Sequence, residues 1–600
     1  MFKALSQWLD ARTGYKSLIH EALEEPIPGG AKWKYVFGSA LTSTFLIQLV
    51  TGILLMFTYS PSSTTAWGSV YYISNQMTMG WFVRGIHHFG SQAMIVLLAM
   101  HLIQVLIAGA YRSPREVNWW FGMSLLFITV AFSLTGYLLP WDQKGYWATK
   151  VATNIAGGTP ILGAAIQKLA LGGSDYGNQT LTRFYGLHVG VLPGLLVMTL
   201  AGHIALFRKH GVTASPKAKG VGRFWPEQVL MDIVASLAVL GVLVFLVVAE
   251  HGANLDAPAD PSSSDYPARP EWYFLSLFQM LKLFPGELEV VGTIIIPGAI
   301  VTVLMLLPLF DKILPGKIAH FLACVIVFAL VGAAGYLTYS ALKEDANNPA
   351  YQVARANADT ERQRALFLAG SPEAGIPPEG PAYVLLRDPL THGRAVLEKK
   401  CLSCHYFDGK GQTIVGDDGK QAMSPQVASD LNGFGTYTWI RGLLENPSDS
   451  KYFGKVAGCG GMAQWKAKSK LTSDELDKVA AFVTTFTNIP DDLTAEEWII
   501  DPKVSAHPGV ELFSNQCGKC HVVTGLSEGG ESAPGLFGWG SSRWTKRMIQ
   551  RPGAPDLYGF LESHEQMPSF SGQLTENDLE TLVKYLKHDY PKSVDKASSH

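Results

Sequence analysis

Seven apolar stretches set the pattern of the first 340 residues, at about 34–58, 81–109, 117–139, 183–207, 229–250, 290–309 and 318–340. Crossing a hydrocarbon core of about 30 Å as an α-helix takes about 20 predominantly apolar residues, so the pattern predicts seven membrane-spanning helices. The apolar run 155–171 is interrupted by Gly157, Gly158, Thr159 and Pro160, which predicts one or two surface helices instead of a span. Beyond Leu342 the chain turns polar. Residues 343–387 are rich in charge and end in a Gly/Pro stretch at 370–381; within them 354–368 predicts a solvated helix and the remainder a linker. Short helical segments follow to the end. The expected fold is all-α: a seven-span bundle with a four-helix part at 1–215 and a three-helix part at 216–342, a linker at 343–390, and two small helical domains at 391–490 and 500–600.

Composition agrees with this division. Of 600 residues, 48% are hydrophobic and 16% charged, against about 25% charged in soluble proteins, while the mean hydropathy is only just positive. A formal net charge of -2 gives no reason to expect nucleic acid. Lys3, Arg12, Lys16, Lys32 and Lys34 precede the first span, Arg112 and Arg115 separate the second from the third, and Arg208, Lys209, Lys217, Lys219 and Arg223 follow the fourth. The loop from Tyr59 to Gly80 has no basic residue. The positive-inside rule therefore puts the N-terminus in the cytoplasm, and an odd number of spans delivers everything after Leu342 outside. The first twenty residues carry scattered charge without an apolar core, which predicts a cytoplasmic amphipathic surface helix and not a cleaved signal.

Two of the apolar stretches carry paired histidines. His87 and His101 lie fourteen residues apart, and His188 and His203 fifteen. Both spacings are close to four helical turns, so each pair projects from one helix face with a rise of about 21 Å. Two such helices facing each other would place one bis-histidine site near each membrane surface. A single intramembrane histidine is often only an interhelical hydrogen bond, but four in matched pairs suit a flat macrocycle that needs an axial ligand above and below its metal. Gly38 and Gly52 in the first stretch, and Gly122 and Gly136 in the third, repeat the fourteen-residue spacing. Glycine in a membrane helix commonly marks close packing. The shared spacing favours room for a porphyrin edge at two depths.

Outside the apolar region the chemistry-bearing residues are cysteines. Four of the six form two C-x-x-C-H motifs, Cys401, Cys404, His405 and Cys517, Cys520, His521, the signature of covalent heme attachment. Each motif sits in a repeated frame. A short helix precedes it, at 394–400 and 509–516. Similar strings follow it, ASDLNGFGTYTW ending at Trp439 and SAPGLFGWGSSRW ending at Trp544. Each unit closes with a methionine, Met462 or Met567, and an acidic-capped helix after Leu471-Thr472 or Leu574-Thr575. Met423 and Met548 are rival ligands, and a methionine often merely fills core space. Cys324 and Cys459 have no partner at a ligand spacing and read as free thiols.

On these residues, 1–340 resembles the cytochrome b subunit of quinol-oxidising cytochrome bc complexes. The resemblance implies that His87 and His188 ligate the heme b nearer the outer side, that His101 and His203 ligate the inner one, and that Arg84 meets an outer heme propionate. Pro270, Glu271, Trp272 and Tyr273 are similar to the family's PEWY signature at the quinol-oxidation site, where the glutamate accepts a proton from quinol. The string GYLLPWDQKG at 136–145 is similar to the end of the family's third helix. Arg208 and Asp232 match positions near the inner heme or quinone, although charges at a helix end also serve orientation and snorkelling. The fifteen-residue spacing, the PWDQ string, Phe278 and seven spans resemble the chloroplast-type branch, here with both halves in one chain. That branch's extra heme is expected to be absent, because the first cysteine is Cys324, and Gln104 stands where the branch has an arginine.

Both C-terminal repeats resemble class I cytochrome c domains. The resemblance implies Met462 as distal ligand of the first heme c and Met567 of the second, with potentials above those of bis-histidine sites. The chain is thus expected to be the subunit of a quinol:cytochrome c oxidoreductase in a bacterial cytoplasmic membrane, with two heme b, two covalent heme c, quinol and quinone. The implied partners are a cytochrome c or terminal acceptor and a second copy of the chain. A Rieske cluster needs a C-x-H motif that the sequence lacks, so the iron-sulfur protein must be separate. The rival readings are a quinol dehydrogenase that sends both electrons outward without bifurcation and a non-catalytic sensor or storage scaffold.

Overall fold

The computed structural model describes residues 2–213, 219–263, 265–415, 421–456, 458–530, 532–564 and 566–592, so Lys217 lies outside the described residues. The chain divides into two compact units, Met1–Gly370 with Gly375–Ala382, and Tyr383–His600 with Ser371–Ala374.

Among the described residues of the first unit, seven helices are long and apolar enough to cross a membrane: Trp33–Met56, Gly80–Ile107, Glu116–Tyr137, Asn178–His210, Phe224–Ala249, Val291–Lys312 and Gly316–Asn347. Each expected span is present. Side chains such as Leu237, Phe245 and Phe321 are exposed on them, as helices facing hydrocarbon permit. The run 155–171 forms parts of two shorter helices, Gln143–Gly157 and Gly163–Leu171, separated at the Gly/Pro break. The fourth span is not a uniform α-helix. At Leu187–Val191 it widens into a π turn, closed by the Leu192 amide on the Leu187 carbonyl and followed by Pro193. A π turn takes up one additional residue. The fifteen-residue spacing from His188 to His203 therefore still leaves both rings facing the same way as the fourteen-residue pair on the second span.

The stretch read as solvated helix and linker is more ordered than that. Helix Pro349–Gly370 buries Arg364, Ala365, Leu368 and Ala369. Residues 375–382 lie against the first unit, with Ile376 and Pro381 beside Gly68 and Gly380 beside the Thr64 carbonyl. Its scattered apolar positions find cover, which composition alone did not reveal.

In the second unit the leading helix of each repeat packs on the closing helix of the other. The helix leading into the first motif, Arg394–Lys400, packs with the closing helix of the second repeat, Glu576–Leu586, in a core of Val396, Leu397, Leu402, Phe407, Ile549, Leu579, Leu582 and Val583. Reciprocally, the helix leading into the second motif, Val510–Gln516, packs with the closing helix of the first repeat, Ser473–Phe486, through Phe513, Phe482 and Phe486. Glycine makes both crossings close. A Cβ on Gly393 would run into the Thr581 carbonyl and Tyr585 Cβ, and one on Gly509 into the Lys478 carbonyl and Phe482 Cβ. Between the crossings lies an aromatic cluster of Phe434, Trp439, Trp539 and Trp544. The chain enters it through Gly433 and Gly435 in one repeat and Gly538 and Gly540 in the other, all with φ between 70° and 78°, a conformation that favours glycine.

Candidate functional site

The four intramembrane histidines meet in two pairs. The His87 and His188 ring centroids lie 6.3 Å apart, and those of His101 and His203 lie 6.5 Å apart. Two metal–imidazole bonds of about 2 Å each, with the ring radii, span about 6 Å, so each pair is spaced to hold one iron between its rings. Hydrogen bonds at Nδ1 leave each Nε2 free for a metal. His87 Nδ1 meets Thr51 Oγ1 at 3.0 Å, His188 Nδ1 meets Thr135 Oγ1 at 3.1 Å, His101 Nδ1 meets Gln104 Oε1 at 3.0 Å, and His203 Nδ1 meets the Asn118 carbonyl at 3.2 Å. Such partners fix the tautomer and orientation of a ligating imidazole.

Each of the four spaced glycines faces one of these rings. A Cβ on Gly38 would lie 3.6 Å from His101 Cε1, on Gly52 3.3 Å from His87 Cε1, on Gly122 3.5 Å from His203 Cε1, and on Gly136 2.5 Å from His188 Cε1. Gly38 and Gly122 also line open space beside the His101 and His203 rings. Arg84 lies on the second span, three residues before His87. Its guanidinium donates to Ser74 Oγ and to the carbonyls of Ala253 and Asn254, and so ties the second span to the loop after the fifth.

Near the His87 and His188 end, the two strings that the sequence keeps 127 residues apart are joined. Lys144 Nζ, from the PWDQKG string, pairs with Glu271 Oε1 at 2.8 Å. Backbone bonds from Gln143 to Ala257 and from Ala259 to Trp141 pin the string to the loop after the fifth span. Burial pulls the Lys144 ammonium down, but Glu271 and the nearby aspartates more than offset it, so its pKa is raised. Burial and the Glu271 charge push the Tyr273 hydroxyl up to about 12. Asp142 is raised to about 6 by burial and by Asp256, against the amide bonds it accepts from Gly145 and Asp256. His88 feels the charges of Arg84, Glu271 and Lys144. The Tyr137 hydroxyl, with the Lys144 ammonium 5.5 Å from its ring, is buried with no hydrogen-bond partner among the described residues. Pro270 and Trp272 flank the glutamate in the chain. Glu271, Lys144, Tyr137 and Tyr273 thus form a polar cluster able to exchange a proton with a bound molecule.

The other end of the bundle holds a cavity of about 520 Å³ lined by His101, His203, Gly38, Gly122, Arg208 and Asp232, among others. Asp232 accepts from Ser39 Oγ at 2.8 Å and from Gln228 Nε2 at 2.9 Å. Arg208 pairs with Glu25 at 3.6 Å. Burial raises the Glu25 carboxyl, partly offset by Arg208. Five lining atoms, Glu25 Oε1, Tyr35 Oη, Arg115 Nε, Asn118 Oδ1 and Thr213 Oγ1, are buried without hydrogen bonds among the described residues. Unpaired buried polar atoms are costly, so this lining suits a ligand with polar groups of its own. The structure brings Arg208 and Asp232 to the same cavity as one histidine pair.

In the second unit, His405 Nδ1 meets the Ser429 carbonyl at 2.7 Å and His521 Nδ1 the Pro534 carbonyl at 2.9 Å, again leaving Nε2 free. Cys401 and Cys517 are partly buried beside apolar side chains, a setting that fits an apolar macrocycle attached there. The methionines differ from the sequence grouping: Met567 packs in the core that holds Cys401, and Met462 in the core that holds Cys517. The exchange of halves is the physical reason. Met423 is 51% exposed and lies in neither core.

Sequence reasoning passed over Thr51, Thr135, Lys144 and Glu25. A signal existed for the threonines, since Thr51-Gly52 and Thr135-Gly136 repeat a Thr-Gly step, whereas the other two glycines follow Phe37 and Phe121. Nothing local marked Glu25.

Residues 22–211 match the family model "Cytochrome b/b6/petB", 258–357 match "Cytochrome b(C-terminal)/b6/petD", and 504–586 match "Cytochrome C oxidase, cbb3-type, subunit III". The chain is 37% identical to cytochrome b6 of Mastigocladus laminosus over 206 residues, which is 34% of this chain and 96% of that protein. It is also 37% identical to cytochrome b6 of Cyanothece sp. over 207 residues, 34% of this chain and 93% of that protein. Among solved structures, a hyperthermophilic respiratory Complex III is similar at 25% identity with a TM-score of 0.48, over 60% of this chain and 97% of that one.

Proposed function

Because the chain belongs to the cytochrome b/b6 family and carries a cytochrome c region, we propose that it is the cytochrome b and c subunit of a bc-type quinol:cytochrome c oxidoreductase. Quinol is oxidised on the outer side, beside Glu271. One electron goes by way of two heme b to quinone at the inner cavity, the other by a separate Rieske protein and two heme c to an outer acceptor, and protons are released outside. The hemes, when bound, supply one-electron carriers. The chain's own residues hold them through His87 with His188, His101 with His203, His405 and His521, and handle the protons.

One observation carries the reading: Glu271 and Lys144 form an ion pair that unites two separate motifs at one end of the bundle. Lys144 keeps the carboxylate oriented to accept a hydroxyl proton, and Tyr273 and the Tyr137 hydroxyl, unpaired among the described residues, give the substrate polar partners. The cavity at His101 and His203 is the space their heme would take, and the polar groups around it, Arg208, Asp232 and Glu25 among them, support an inner quinone beside that heme over a dehydrogenase that sends both electrons outward. Glu271→Gln tests the reading. Loss of general-base assistance is expected to slow quinol-driven reduction of the c hemes by about 10²-fold or more, with chemically reduced b and c spectra unchanged. Unaltered quinol-driven reduction would place quinol oxidation elsewhere.

A further inference from the structure

The second unit pairs its iron-binding halves across the repeats. Each site needs a C-x-x-C-H segment and a distal ligand on the opposite face of the macrocycle. Counting from Leu471-Thr472 and Leu574-Thr575, Lys478 corresponds to Thr581 and Phe482 to Tyr585. Gly393 meets the second of each couple and Gly509 the first, so the two leading helices have traded closing helices at the same register. The apolar cores follow the trade. Cys401, Leu402 and Phe407 share a core with Leu574, Leu579 and Met567, while Cys517, Phe513 and Val523 share theirs with Leu471, Leu476 and Met462. His392, just before the first leading helix, bonds through Nε2 to Asp578 of the second repeat at 2.6 Å. Met548 also packs in the core of Cys517, but the corresponding position in the first repeat is Leu443, so it cannot serve a pattern common to both sites.

We propose that the distal ligands are crossed: the iron attached at Cys401 and Cys404 is held by His405 and Met567, and the iron attached at Cys517 and Cys520 by His521 and Met462. This deepens the reading above and rests on the two motifs carrying heme. Its consequence is that neither repeat is a complete cytochrome without the other, so the two c hemes form one cooperative unit.

The test uses the full-length chain in membranes. With one attachment site removed by Cys401→Ala and Cys404→Ala, the remaining heme c is expected to lose its ferric methionine–iron charge-transfer band and fall in midpoint potential when Met462→His is added, and to keep both when Met567→His is added. With Cys517→Ala and Cys520→Ala the dependence reverses. The opposite dependence, or a band indifferent to both substitutions, overturns the crossing. A chain that carries covalent heme but obeys the opposite pattern sinks only the crossed assignment, whereas a chain without covalent heme sinks the reading beneath it as well. Where removal of a heme unfolds the unit, the double variant His392→Cys with Asp578→Cys in an otherwise unaltered chain decides. A short flexible bis-maleimide should link residues 392 and 578 in the digest, and failure to link them overturns the exchange.

Discussion

The membrane bundle and the C-terminal unit each carry two histidine-based sites built from a duplicated pattern, but they join the copies differently. In the bundle both sites are strung along the same helices, the second and fourth spans, and each ring has its own glycine behind it on the first or third span. A helix fixes the relative position of residues fourteen apart by its geometry alone, so each site can lose its ligands without disturbing the other. In the C-terminal unit each site takes its attachment half from one repeat and its closing half from the other. Sequence repetition says which segments are equivalent and not which copies touch. The bundle therefore holds two parallel sites, and the C-terminal unit two interdependent ones.

The largest effect that would break this contrast comes from deletion. Removing residues 500–600 takes away the closing helix and Met567 from the core of Cys401, and is expected to abolish both covalent heme sites in the membrane-bound chain. His101→Ala, by comparison, is expected to remove one heme b and leave the His87 and His188 pair loaded. Heme stoichiometry by pyridine hemochrome reads both outcomes. A truncated chain that keeps one heme c with a methionine ligand would show that the first repeat is self-sufficient.

The intermediate effects sharpen the picture within the bundle. A Cβ on Gly136 falls 2.5 Å from His188 Cε1, a distance real side chains essentially never show, whereas one on Gly38 falls 3.6 Å from His101 Cε1 in ordinary contact. Forcing an atom into such a packed interface costs roughly 1–3 kcal/mol. Gly136→Ala should thus lower occupancy or shift the potential of the b heme at that end, while Gly38→Ala leaves its own heme nearly unaltered. Equal responses from the two variants would mean that the glycines serve the porphyrin and not the imidazoles.

What could be read in the sequence follows the same line. The spans, the histidine spacing and the glycine spacing are all local or periodic signals, and the structure carries each of those patterns. The Lys144 to Glu271 pair lay hidden because the two residues gain meaning only when the loop after the fifth span docks on Trp141 to Gln143. The protein partners of Arg84 were hidden for a related reason: the carbonyls of Ala253 and Asn254 reach its guanidinium only through the fold. The crossing of the repeats was invisible because Met462 and Met567 stand in nearly interchangeable surroundings.

The smallest expected effect concerns how the crossing is fastened. Both closing helices begin with a reciprocal capping box, Thr472 with Glu475 and Thr575 with Asp578, and loss of such a cap costs about 1 kcal/mol. Only Asp578 has a second task, accepting from His392 of the other repeat, and Pro508 at the corresponding place in the second repeat has no such side chain. Asp578→Asn should therefore lower the Tm of the C-terminal unit by a few degrees more than Glu475→Gln, since 1 kcal/mol is worth about 2–4 °C in a unit of this size. Burial pushes the Asp578 carboxyl up, but the Thr575 amide and hydroxyl and the His392 imidazole together hold it below the ordinary carboxylate value. A depressed carboxylate stabilises the fold above its unfolded pKa and loses that contribution as pH falls through the folded one. The excess sensitivity of Asp578→Asn should accordingly be full near neutrality and shrink on acidification, followed by heme absorbance during melting. Equal melting of the two variants at neutral pH would mean that the crossing is held by its apolar cores alone.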